Sequence, residues 1–281
     1  MLLSVDDVAG PLPPAALADR ERRLRACLGD LGRVAVAYSG GVDSALVLAV
    51  AVAELGEGAT ALTAVSESLA RRERDAAARL AAELGARHVE IETDEVRDPR
   101  YAENSAARCF YCKDVVYEAL GNYAARHDLG TLVDGMNVDD TAAHRPGRHA
   151  AAAWGVHSPL ADAGFRKADV RALARRLGLS VWSKPAVACL SSRVPYGHAV
   201  TPEILAQVEA AEAVLFALGC REVRVRHHDA VARIEVGPAE LERVVAHREA
   251  IVAALVALGY DHVALDLAGY RPGSLNAAIG R

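Results

Sequence analysis

Tyr38-Ser39-Gly40-Gly41-Val42-Asp43-Ser44 marks a point where a strand runs straight into a helix. Before it, Arg33-Val34-Ala35-Val36-Ala37 is a short β-branched run of the kind that forms a buried parallel strand. After it, Ala45 to Leu55 is apolar and rich in helix formers, so the two glycines fall where the chain must turn. Lacking Cβ atoms, Gly40 and Gly41 permit positive φ and let a phosphate come against the backbone. There the unpaired N–H groups and positive dipole end of the helix face it. Ser39 and Ser44 add hydroxyl donors, and Asp43 is a hard-oxygen ligand for magnesium held against the phosphates. Without a ligand, the same residues read as a glycine-rich turn.

No Gly-Lys-Ser/Thr closes the loop as a Walker motif requires, and the dinucleotide fingerprint lacks its third glycine. The Ser39 to Ser44 hexapeptide instead resembles the pyrophosphate-binding loop of the PP-loop (N-type) ATP pyrophosphatases, which activate a carboxylate or carbonyl oxygen as an adenylate. That resemblance implies ATP and Mg2+ as cofactors.

The chain has 281 residues, enough for a large domain and a small one, with 52% apolar and 25% charged residues. A net charge of −5 and a pI near 6.1 argue against bulk electrostatic binding of nucleic acid and favour a small charged substrate. No segment reaches the ~18 uninterrupted apolar residues of a membrane span, and Met1 to Gly10 carries two aspartates where a signal peptide needs positive charge. The expectation is a cytoplasmic protein with no membrane partner. Its five cysteines, an odd number, do not read as a secreted disulfide framework.

In chain order, Pro13-Pro14 opens a packing helix to about Leu28, Thr60 to Val65 reads as a strand, Leu69 to Leu84 as a helix and Arg87 to Glu92 as a strand. This rhythm implies an α/β fold with a parallel sheet and crossover helices. Ser66 then lies at a strand's carboxyl end, where such sheets bind ligands, and the resemblance places adenine there; Ser68 reads equally as a helix cap. Asp98 to Ala107 reads as irregular, and a helix starting at Arg108-Cys109-Phe110-Tyr111-Cys112-Lys113 follows. Thr131-Leu132-Val133 is a fourth strand, delivering Asp134 to Asp140 to the edge that holds the phosphate loop. Asp139 and Asp140 there either complete a magnesium site or cap a helix. His144 to His149 reads as loop, Lys167 to Leu177 as a helix, and Ser183 to Gly197, with two prolines, as a linker exposing Ala186 to Arg193. From Pro202 follow a helix, strands at 222–226 and 232–236, one helix from Ala239 to Leu258, and a strand at 262–267, a small α+β unit. The domains are therefore expected at 1–182 (ATP binding), 183–200 (linker carrying Cys189) and 201–281 (substrate binding and oligomerisation).

Cys109 and Cys112 form a Cys-Xaa-Xaa-Cys pair, and Cys189 stands alone far downstream. The spacing suits zinc, iron–sulfur or redox chemistry. Structural zinc wants a fourth ligand, for which His227-His228 could supply nitrogen. Three cysteines without an obvious fourth suit a 4Fe-4S cluster with one open iron. Lys113 and Arg193 stand close in sequence to these cysteines, and a neighbouring cation favours a thiolate. Cys27 and Cys220 lie in apolar settings and read as core residues.

The phosphate loop, the Arg108 to Lys113 hexapeptide, Asp134 to Asp140, Ala188-Cys189-Leu190-Ser191-Ser192-Arg193, Arg224-Val225-Arg226 with Ala232-Arg233-Ile234-Glu235, and Gly269 to Asn276 together resemble the LarE-type ATP-dependent sulfur transferases. The resemblance implies adenylation of the carboxylates of pyridinium-3,5-biscarboxylic acid mononucleotide and their conversion to thiocarboxylates, toward the nickel-pincer nucleotide of lactate racemase. Some members sacrifice the sulfur of a cysteine matching Cys189; others, with three cysteines, hold a 4Fe-4S cluster that passes on sulfide from an external donor. Cys109 and Cys112 beside Cys189 place this chain with the second group, with Asp43, Lys113 and Arg193 as further catalytic residues. Arg224 and Arg226, two apart on a strand, point to one face and suit a substrate phosphate. The resemblance adds Arg271 from a neighbouring subunit, Glu212 and Glu235 as acids near that pocket, and a homo-oligomer, with a hexamer as the form it suggests. Competing readings are a tRNA thiolase, which tight salt-dependent tRNA binding would favour, and a non-catalytic nucleotide sensor with structural zinc.

Overall fold

The computed structural model describes residues 10–142, 147–185 and 187–271. Readings that rest on Met1 to Ala9, on His144-Arg145-Pro146, on Ala186 and on Pro272 to Asn276 lie outside these residues. Two units divide the chain: residues up to 66, 71–95 and 109–187 form the first, and residues 67–70, 96–108 and those from 188 onward the second.

In the first unit, β1 (Val34–Ala37), β2 (Ala59–Val65), β3 (Arg87–Glu92) and β4 (Thr131–Val133) form an all-parallel sheet in the order β3-β2-β1-β4. Alternation of side chains along β1 buries both faces. Val34 and Val36 enter a core with Leu24 and Leu28 of α1 (Pro14–Leu31), Leu46 of α2 (Val42–Leu55) and Leu80 of α3 (Arg71–Glu83). Ala35 enters a second core. After the short α4 (Pro99–Ala102), which belongs to the other unit, α5 (Arg108–Arg126) covers this face with Tyr117 and Leu120. Four further helices complete the run: α6 (Val138–Ala142), α7 (Gly147–Ala153), α8 (Pro159–Asp162) and α9 (Lys167–Arg176). The chain leaves β1 toward β2 on one side while β4 lies on the other, so the crevice at a topological switch point falls at the carboxyl ends of β1 and β4.

Tyr117 fastens α5 to that edge. Its hydroxyl donates to Asp134 Oδ2 at 2.8 Å, while Asp134 Oδ1 accepts from Ser158 Oγ at 2.8 Å and Met136 N at 3.0 Å. Burial, then the Asp134 charge, pushes the phenol well above its ordinary range. Tyr117→Phe should leave buried Asp134 short of a donor and cost about 1–3 kcal/mol, read as a lower urea midpoint. An unchanged midpoint would remove the contact from the account.

The second unit packs α10 (Pro202–Ala217) and two later helices on a three-stranded sheet. Its strands are β5 (Val223–His228), β6 (Val231–Val236) and β7 (His262–Leu265), antiparallel between β5 and β6 and parallel between β6 and β7. Val223, Val225, Ile234 and Val236 meet Leu215, Ile251, Leu255 and Tyr260, whose phenol burial pushes up to about 12.

Four local expectations fail. The stretch read as irregular contains α4, where Asp98 caps the helix by accepting from Arg100 N and Pro99 supplies the first turn. Gly147 to His149, read as loop, belong to a helix that runs to Ala153. The single helix expected from Ala239 to Leu258 is a 3-10 turn, Pro238–Glu240, followed by α11 (Leu241–Ala246) and α12 (Arg248–Ala257), broken at His247, whose φ of −103° and ψ of 15° leave the helical region. Within the stretch read as an exposed linker, Leu190, Ser191 and Arg193 are buried, for a reason given below. No helix among the described residues is long and apolar enough to cross a membrane.

Candidate active site

In the first unit the phosphate loop closes on itself. Ser39 N donates to Ser44 Oγ at 3.2 Å, the two serine hydroxyls lie 3.2 Å apart, and Ser44 Oγ donates to Gly41 O at 3.2 Å. Gly40 has φ 67°, and a Cβ there would stand 2.7 Å from Ala77 Cβ of α3. A Cβ on Gly135 would stand 2.7 Å from Ser44 N, so the turn after β4 lies directly against the loop. Glycine is required at both places by contact with neighbouring chain, and at Gly40 by conformation as well.

Asn137 ties the acids to this loop. Its Nδ2 donates to Asp43 Oδ1 at 3.4 Å, and its Oδ1 accepts from Asp139 N at 3.0 Å and Asp140 N at 3.3 Å, capping α6. Asp140 Oδ2 accepts from Asn137 N at 3.3 Å. Lys167 Nζ forms an ion pair with Asp43, and Lys167 N donates to Asp139 Oδ2 at 2.8 Å. Lys184 Nζ donates to Gly40 O at 3.3 Å and pairs with Glu73 at 2.7 Å. The fold thus brings together Ser39, Gly40, Gly41, Asp43, Ser44, Asp139 and Asp140. It adds Asn137, Lys167 and Lys184, to which sequence reading gave no role. Ser66, just beyond β2, donates to the Glu95 carboxylate. Cys109, exposed, and Cys112, half-buried, lie in the first turns of α5, and Lys113 Nζ stands 5.8 Å from the Tyr117 ring centre.

In the second unit the structure is built around the backbone of the Cys189 loop, a 3-10 turn at Leu190–Arg193. Arg193 donates through Nη1 to Ala188 O at 2.6 Å and Cys189 O at 2.9 Å, and through Nε and Nη2 to Glu212 at 2.9 and 3.0 Å. Glu212 Oε1 also accepts from Val225 N at 3.1 Å. Arg108 Nη1 donates to Ser191 O at 3.0 Å, and Arg226 Nη1 to Ser192 O at 2.8 Å. Three guanidinium groups therefore hold the carbonyls of Ala188, Cys189, Ser191 and Ser192. Tyr101 Oη and Ser191 Oγ lie 2.5 Å apart, and Asn104 Nδ2 donates to Pro195 O at 2.8 Å and His198 O at 3.0 Å. These contacts bury a segment whose prolines and missing periodicity suggest a tether.

Arg193 thus positions Cys189 through the backbone, and Glu212 is the counter-ion of Arg193. Glu235, 1% exposed, accepts from Arg226 Nη2 at 2.7 Å and Arg233 Nη2 at 3.1 Å. Arg224 differs from its neighbours. It lies 5.0 Å from the Tyr270 ring centre, donates to Val223 O, and has no carboxylate partner among the described residues. Burial, and next the charge of Arg193, lower its affinity for its own proton. An unmatched, half-buried cation of this kind is stabilised by an incoming anion. Arg271 is exposed, and His227 Nδ1 lies 3.3 Å from Tyr260 Oη.

The pyridinium-3,5-bisthiocarboxylic acid mononucleotide synthase of Lactiplantibacillus plantarum is 41% identical over 266 residues, covering 94% of this chain and 96% of that one. The chain belongs to the LarE-type ATP-dependent sulfur transferases. An uncharacterised protein of Synechocystis sp. is 40% identical over 94% of this chain and 99% of its own length. One from Methanocaldococcus jannaschii is 26% identical over 85% and 91%. The asparagine synthase family profile matches residues 21–103, the part of this LarE-type chain that contains the phosphate loop. The LarE-type enzyme uses ATP, and the residues matched by that family include the glycine turn.

Proposed function

We propose that the enzyme adenylates the carboxylates of pyridinium-3,5-biscarboxylic acid mononucleotide and converts them to thiocarboxylates, with sulfur drawn from a 4Fe-4S cluster held by Cys109, Cys112 and Cys189. A substrate carboxylate oxygen attacks the α-phosphorus of ATP and pyrophosphate leaves; sulfide then attacks the acyl carbon and AMP leaves. The observation that carries the reading is Arg224, a half-buried cation without a carboxylate in the unit that fixes Cys189. A mononucleotide phosphate fits that vacancy in charge, as it would not fit Arg226 or Arg233, already bonded to Glu235.

The residues present fit both implied groups. Asp43 and Asp140 are hard-oxygen ligands at one sheet edge, and magnesium held there would neutralise phosphate charge. Lys167 pairs with Asp43 and so places an ammonium beside the phosphate loop. For the cluster, the donor set is three thiols, none of them in a disulfide. Within the second unit Arg108, the residue before Cys109, is bonded to Ser191 O, two residues beyond Cys189. When bound, the cluster would supply sulfide for the acyl transfer. Ser39, Gly41 and Ser44 orient the pyrophosphate, and the Arg108, Arg193 and Arg226 bonds hold the Cys189 backbone still.

Pyrophosphate release should need ATP, magnesium and the biscarboxylate mononucleotide together. Release stimulated instead by tRNA, with tight salt-dependent binding, would replace this reading. Arg224→Ala should weaken the mononucleotide by about 1.5–3 kcal/mol, as a raised KM for it with KM for ATP unchanged. An unchanged substrate KM would return Arg224 to an ordinary strand residue.

A further inference from the structure

Cys27, expected to be a core residue, is only half-buried on α1. Its Sγ, a ring nitrogen of His157 and a carboxylate oxygen of Asp162 all lie within 4.8 Å of one another. Among the described residues this is the one group of its kind. His157 Nδ1 is buried without a hydrogen-bond partner and stands 3.4 Å from Asp162 Oδ2. An imidazole nitrogen in that position, facing a thiol and a carboxylate, is a donor of the kind that binds a divalent cation.

The three positions are rigid. Leu24 and Leu28, on either side of Cys27 along α1, are fully buried, as is Leu160 of α8, two residues before Asp162. His157 extends the sheet beside β4, its N donating to Leu132 O at 3.0 Å and its O accepting from Asp134 N at 2.9 Å. Burial, and next the Asp162 charge, raise the Cys27 thiol.

We infer that Cys27, His157 and Asp162 form a three-ligand site for a zinc-like divalent cation, separate from Cys109, Cys112 and Cys189. Bond lengths of about 2.0–2.3 Å in a tetrahedron put ligand atoms roughly 3.3–3.8 Å apart, so the trio needs only a small closure. Thiolate, imidazole and carboxylate together suit zinc or cobalt over magnesium, whose ligands are oxygens. Binding displaces the Cys27 proton and clasps α1 and α8 to the end of the sheet. The fourth position is left to water or a small anion.

The full-length protein, stripped with a chelator, would be titrated with Co2+ and compared with Cys27→Ser. The four other cysteines are common to both, so the difference spectrum isolates Cys27. The expected result is that the wild-type minus Cys27→Ser difference shows a thiolate-to-cobalt charge-transfer band saturating at a single equivalent, displaced by Zn2+ and weakened in Asp162→Asn. Zn2+ should also raise the Tm of the wild type and not of Cys27→Ser. The exposed Asp162→Asn keeps the test informative should Cys27→Ser fold poorly. A difference spectrum without that band, or cobalt affinity unchanged in Asp162→Asn, would overturn the proposal.

Discussion

Cys189→Ser is expected to abolish thiocarboxylate formation while leaving substrate-dependent pyrophosphate release within about tenfold of the wild type. Adenylation is assigned to the phosphate loop, Asp43 and the acids around Asn137, none of which needs the Cys189 side chain. The loop that carries Cys189 is held by carbonyl contacts from Arg108, Arg193 and Arg226, which serine preserves. Sulfur transfer and adenylation should therefore separate at this residue. Release of pyrophosphate and AMP should be measured beside thiocarboxylate by mass spectrometry. Loss of both activities would assign Cys189 to the adenylation step or to the fold, and retention of both would remove it from sulfur transfer.

Arg193→Ala should cost about 3–5 kcal/mol, because it leaves Glu212 as an uncompensated charge in the interior. The paired side chains are 3% and 5% exposed, so water cannot replace the lost donors cheaply. The carbonyls of Ala188 and Cys189 lose their guanidinium in the same step, so sulfur transfer should fall even where the protein remains folded. Replacing both partners, as in Arg193→Met with Glu212→Met, should recover most of the stability and little of the sulfur transfer. Chemical denaturation measures the first quantity and product formation the second. A loss near the ~1 kcal/mol of a surface pair would contradict the buried geometry.

What could be read from the sequence follows from how local each signal is. The phosphate loop was legible because strand, glycine turn and helix are contiguous, and the conformation of Gly40 is a property of one residue. The parallel sheet was legible because β-branched runs alternate with helical ones. Lys167 and Lys184 were not, since a lysine says nothing until the fold carries its side chain to Asp43 or to Gly40 O. Arg193 and Glu212 were noticed but given other roles. As residues near a cysteine and a phosphate they suggest a reactive pocket, whereas the fold pairs them with each other and with the backbone. The Cys189 segment misled for the same reason. Its order comes from the side chains of Tyr101, Asn104 and Arg108, far away in the chain, so its own residues carry no periodicity to report it. Arg224 and Arg226 look equivalent in sequence, and although the register sets Glu235 opposite Arg224, its carboxylate bonds Arg226.

The central claim is that sulfur passes through a cluster and leaves the protein chain intact. Anaerobically purified enzyme, counted for iron and sulfide, would be run through many turnovers with ATP, magnesium, the biscarboxylate mononucleotide and added sulfide. The mass of the Cys189 peptide would then be taken. The account predicts about four irons per chain, lost together with activity in Cys109→Ala, and an unchanged Cys189 after turnover. Iron-free active enzyme, with Cys189 about 34 Da lighter in proportion to product through loss of hydrogen sulfide to dehydroalanine, would contradict it.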